Sequence, residues 1–128
     1  MIYGIDHLGA ARYKSTVIAE HPRDYGFGAF LDVDGFGKTY DLFDKMGSLG
    51  VPFFHVQVMW RDGHDFKPED VKTVEQRCKQ LAPIAKKYKN KTWFISPCCE
   101  NELNATQFQP FAEAVLRQIP FAIVVNSA

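Results

Sequence analysis

Five apolar runs, each short enough for one strand and each followed by helical or turn character, restrict this chain to few architectures. They are "IYGIDHLG" (2–9), "FGAFLDVDGFG" (27–37), "VPFFHVQVMW" (51–60), the segment 92–99 and "FAIVVNSA" (121–128). Between the second and third, "TYDLFDKMGSLG" (39–50) sets Tyr40, Phe43 and Met46 at helical spacing and closes on Gly47 and Gly50, which suit helix stops. The clearest helix is predicted within 67–90, where Val71, Val74, Cys78, Leu81, Ala85 and Tyr88 step by three and four. Pro68 suits its first position, Glu69 and Asp70 the positive end of its dipole, and Pro83 predicts a kink. Thr106 and Gln109 have capping-box spacing ahead of Phe111, Val115 and Ile119. The stretch 10–26, interrupted by Pro22, reads as a short helix within an irregular connection. The alternation is that of a parallel α/β chain with right-handed crossovers, a single domain over 1–128.

Composition narrows the partners. With 15 basic and 15 acidic residues the formal charge is zero, so nothing draws the chain to nucleic acid or anionic lipid. The basic run "KKYKNK" (86–91) falls at a helix end, where cations favour the dipole. No run approaches the roughly 18 apolar residues of a membrane helix, and "MIYGIDHLGA" does not read as a signal peptide. Three cysteines at unsuitable spacing argue against a disulfide framework or a structural zinc site. They suit small buried hydrophobes in a cytoplasmic or otherwise reducing compartment.

Strand parity then says where chemistry gathers, because successive residues face opposite ways. Leu31 and Val33 share one face, Asp32 and Asp34 the other; Phe54, Val56 and Val58 alternate with His55 and Gln57. In "WFISPCCENELN" (93–104), Phe94 and Ser96 lead to Cys98 and Glu100. Asn126 is expected on the same side as His55, Gln57 and Glu100. A face that turns polar only near the carboxyl ends of the strands is expected inside the mouth of a (β/α)₈ barrel.

The strands "FLDVDGF" (30–36), "FFHVQVMW" (53–60), "WFISPCCENEL" (93–103) and "AIVVNS" (122–127) together resemble strands of (β/α)₈-barrel (TIM-barrel) glycoside hydrolases. The resemblance covers most of the chain, as strands one to five, and is one of architecture and tip chemistry. It implies a carbohydrate substrate and a glutamate acid/base closing the fourth strand. In one large group of these enzymes that strand ends in Asn-Glu; here the order is Glu100-Asn101-Glu102, so either glutamate matches, and parity favours Glu100. A full barrel of this type takes about 250 residues. The expectation is therefore the N-terminal portion of a larger barrel, completed by a longer chain or a second copy.

Glycoside cleavage takes two carboxyl groups across the bond, about 5–5.5 Å apart for retention and 6.5–9.5 Å for inversion. Glu100 is the acid/base candidate, and Asp32 or Asp34 the second carboxylate. His7, His55, Gln57, Trp60, Asn101 and Asn126 are the candidates for holding a sugar through hydroxyl hydrogen bonds or a flat aromatic surface. No cofactor is implied. Three alternatives stay open. A metal-dependent barrel hydrolase would use Asp6, His7, Asp32, Asp34, His55 and Glu100, although "IDHLG" lacks the usual His-x-His. A flavodoxin-like open parallel sheet would be a binding or regulatory module. A partial barrel could also bind carbohydrate without cleaving it.

Overall fold

The computed structural model describes residues 4–6, 28–32 and 40–126. It is an α/β fold in which a parallel sheet alternates with helices. The elements are β1 (Gly4–Asp6), β2 (Gly28–Asp32), α1 (Asp41–Ser48), β3 (Phe53–Met59), a 3₁₀ turn (Asp62–His64), α2 (Asp70–Lys87), β4 (Thr92–Cys98), α3 (Ala105–Gln118) and β5 (Ile123–Val124). The strands lie in the order β1-β2-β3-β4-β5, all parallel. A flavodoxin-like sheet instead places its first strand between the second and third. Here β1 pairs with β2, and β2 lies against β3, so that alternative does not describe this sheet.

Sequential order has a geometric consequence. When every crossover steps the same way and has the same hand, the connecting helices collect on one face. The core shows this directly. Phe43 and Met46 of α1, Val74, Cys78 and Leu81 of α2, and Phe111 and Val115 of α3 form one buried cluster with Phe54, Val56 and Val58 of β3 and Trp93 and Ile95 of β4. Trp93 stacks on Phe54 with centroids 4.0 Å apart, and its indole N–H donates to the Tyr88 carbonyl at 3.0 Å. Burying side chains of this size contributes about 1.5–3 kcal/mol each. The other face carries Phe53, His55 and Gln57 of β3 and Phe94 of β4, all half-buried, and no described helix covers it.

Local signals account for most boundaries. Gly50, at φ +81°, ends α1 in a Schellman pattern: its N–H donates to Gly47 O, and Val51 N–H donates to Met46 O. The first turn of α2 reaches back to Lys67 through Asp70 N–H to Lys67 O and Val71 N–H to Pro68 O, so Pro68 stands in that turn as expected. The helix runs on through Pro83 as one element. The capping box of α3 is Asn104 with Gln107, two residues before the expected Thr106 and Gln109. Asn104 has the extended backbone that a cap needs. The fifth strand is shorter than the run 121–128, with ladder pairing only at Ile123 and Val124. The helix expected within 10–26 lies outside the described residues. No described helix is long and apolar enough to cross a membrane.

Candidate functional site

Two polar groups lie along β3 and β4 and in the turns that follow them. The first lies on the strands themselves. Register places His55 against Phe94 and Gln57 against Ser96, with Asp32 of β2 beside Gln57. Across that ladder His55 Nε2 and Ser96 Oγ share a hydrogen bond of 3.0 Å, and the imidazole meets the Phe94 ring edge-on. Burial holds the His55 pKa below its ordinary value, because removing an imidazolium from water is costly. The Ser96 hydroxyl belongs to a fully buried residue, so it serves as a fixed partner for the ring. Asp32 is placed by its backbone alone, and His7 and Asp34 lie outside the described residues.

The second group is built from loops. β3 ends at Met59 and leads through Trp60, which is 45% exposed, and Arg61 into the Asp62–His64 turn. Gly63 (φ +67°) and His64 (φ +57°) both take left-handed backbone, which reverses the chain over the end of the sheet. β4 ends at Cys98; Cys99 N–H still bonds Met59 O at 2.9 Å, and Glu100 then turns left-handed at φ +51°. The two reversals bring His64 Nε2 to 3.5 Å from Glu100 Oε2. The His64 side chain is 35% exposed and that of Glu100 66% exposed.

Parity therefore does not set the direction of Glu100. Alternation holds only while the ladder continues, and the ladder stops before residue 100. The carboxylate projects from a turn, towards the β3 loop. A similar correction applies to Asn126: Ile123 takes the position opposite Phe94, and Asn126 follows the strand. Its Oδ1 accepts from Asn101 Nδ2 at 2.8 Å. Asn101 is buried, donates also to Cys98 O, and accepts from Leu103 N–H, so its amide ties the turn after β4 together. Both asparagines, expected to hold substrate, are engaged with each other. Trp60 is exposed just past the end of β3.

The neighbouring charges are already matched. Asp70 is buried, accepts from Lys67 N–H at 2.7 Å and meets the Arg61 guanidinium at 3.3 Å. Lys67 Nζ meets Asp65 at 2.8 Å. Magnitudes decide what the His64–Glu100 contact is for. Left-handed backbone costs a non-glycine residue about 1–3 kcal/mol, with histidine at the lower end because it is enriched there. His64 Nδ1 is buried without a hydrogen-bond partner, and leaving a buried polar atom unpaired costs a further 1–3 kcal/mol or so. A contact this exposed, at 3.5 Å, returns at most about 1 kcal/mol. The contact alone does not offset the backbone and burial costs, and such costs concentrate at functional sites. His64 went unrecognised in the sequence; its one local signal was the Asp-Gly turn inside "RDGHD".

Among the described residues no three His, Cys, Asp or Glu side chains come together as a metal cage, and of the set expected for a metal centre only His55 and Glu100 have described side chains. A depression of about 270 Å³ lies between the start of α2 and the start of α3, lined by Phe66, Pro68, Val71, Leu103, Pro110 and Phe111 among others, and neither Glu100 nor His55 borders it. No protein-family model, curated protein or solved structure matches the chain.

Proposed function

We propose that this chain forms strands one to five of a (β/α)₈-type barrel that cleaves a glycosidic bond in a poly- or oligosaccharide, with Glu100 as general acid/base. The observation that carries the proposal is the sequential parallel sheet with its described helices on one face. Such a sheet, curled and closed, makes the opposite face the interior of a barrel and the carboxyl ends of its strands the active-site mouth. Glu100 stands at that mouth, presented by a backbone conformation that stability alone does not favour. Further strands, from a longer chain or a second copy, would complete the wall beyond β5, where Ile123 is 50% exposed.

In this mechanism the Glu100 carboxyl gives its proton to the glycosidic oxygen as the bond to the anomeric carbon breaks. A second carboxylate either attacks that carbon or activates a water. Asp32, at the end of β2 and in register with Gln57, and Asp34 are the candidates for it. His55, Gln57 and Trp60 would contact the sugar. Hydrolysis of a panel of polysaccharides and aryl glycosides by wild type and Glu100→Gln tests the assignment. The expected result is cleavage by wild type and a rate lower by about 10²–10⁴-fold in the variant, the usual contribution of one acid/base group. Equal rates would remove Glu100 from the mechanism. Binding without cleavage by either protein would replace the enzyme with a carbohydrate-binding module.

A further inference from the structure

We infer that His64 is the positioning residue for Glu100: its ring, seated with one edge buried and its Nε2 3.5 Å from the carboxylate, sets where the acid points. What Glu100 does rests on the glycosidase proposal; what holds it rests on geometry alone. Three observations converge. Arg61 is engaged with Asp70 and Lys67 with Asp65, so among the described residues His64 is the group that meets Glu100. Both members of the pair sit in left-handed backbone, and without those two reversals the β3 loop and the β4 turn would not bring these side chains together. His64 Nδ1 is buried without a partner, although a ring turned to water would satisfy it. The ring is therefore held by its surroundings in a pose that suits Nε2 and neglects Nδ1. A carboxylate on a flexible, mostly exposed side chain samples many rotamers, and a fixed neighbour in contact with one oxygen narrows them.

The test uses the full chain with p-nitrophenyl and 2,4-dinitrophenyl glycosides. A dinitrophenolate departs without protonation, whereas the poorer leaving group needs the acid. In His64→Asn, whose side chain is too short to reach Glu100 but tolerates left-handed backbone, kcat/KM on the p-nitrophenyl substrate is expected to fall about a hundredfold. The dinitrophenyl kcat/KM, which reports bond cleavage without the acid, falls far less. The unfolding temperature stays close to that of wild type, because the shorter amide still places a polar group where Nδ1 was. His64→Gln, which places an amide N–H near the position of Nε2, regains most of the p-nitrophenyl rate. Equal loss on both substrates, no loss on either, or a lower unfolding temperature in His64→Asn would make His64 a structural loop residue; if Glu100→Gln is still impaired, the glycosidase proposal survives that result. A wild-type chain that cleaves none of the panel would end both proposals.

Discussion

The Tyr88 ring lies directly over Gly47, so close that a Cβ at that position would stand 2.5 Å from Cε2. The ring is not free to swing aside, because its hydroxyl donates to the Asp44 carboxylate at 2.7 Å, and Lys87 reaches the same carboxylate at 2.9 Å. Gly47→Ala is therefore expected to destabilise the fold by about 1–3 kcal/mol, the usual cost of overpacking a fitted contact. Chemical denaturation should show a lower midpoint at unchanged slope. Gly63 offers the control: it has open space around its Cα, so Gly63→Ala meets only the backbone cost of its left-handed φ.

Glu100→Gly should make the protein more stable. It removes a left-handed non-glycine residue and loses only the exposed contact with His64 at 3.5 Å. After allowance for the extra freedom of glycine in the unfolded chain, a gain of about 1 kcal/mol is expected. Thermal unfolding of the variant beside wild type measures it, and a lowered midpoint would mean that the turn is not strained.

His55 predicts the acid side of the stability profile. Burial places its folded pKa below the ordinary value of 6.5, so the unfolded chain binds the proton more readily. Stability is then fully present above that value and falls as pH drops through it. Between neutral pH and pH 5 the unfolding midpoint of wild type should decline more steeply than that of His55→Gln. Parallel curves would show that the ring stays hydrated.

The cysteines should be silent in the native state. Burial pushes the thiols of Cys78 and Cys98 up to about 12, and Cys99 is buried as well. A thiol-exchange reagent at pH 8 should react slowly with the folded chain and rapidly with all 3 cysteines after denaturation. Fast native reaction at Cys78 would show that α2 opens locally.

Much of the frame could be read from residues alone, because apolar spacing reports directly on packing. Val74, Cys78, Leu81 and Ala85 form the buried stripe of α2 as their spacing predicts, and Phe54, Val56 and Val58 face the helices as parity predicts. The errors share one cause: they concern places where backbone bonding stops. Alternation carried past Cys98 gave Glu100 a facing that a turn then changed, and carried past Val124 it did the same for Asn126. Two capping-box spacings overlap in "NATQFQ", and which one caps depends on where the chain turns after β4. The meeting of His64 with Glu100 joins two loops far apart in sequence, and no local pattern encodes it.

The neighbour-by-neighbour order of the strands also bears on how the molecule is made. Each strand of the sheet pairs with the one synthesised just before it, so a ribosome delivers every new unit to a surface that already exists. β4 has its template once β3 has left the tunnel. Assembly can keep pace with translation, one strand and one helix at a time.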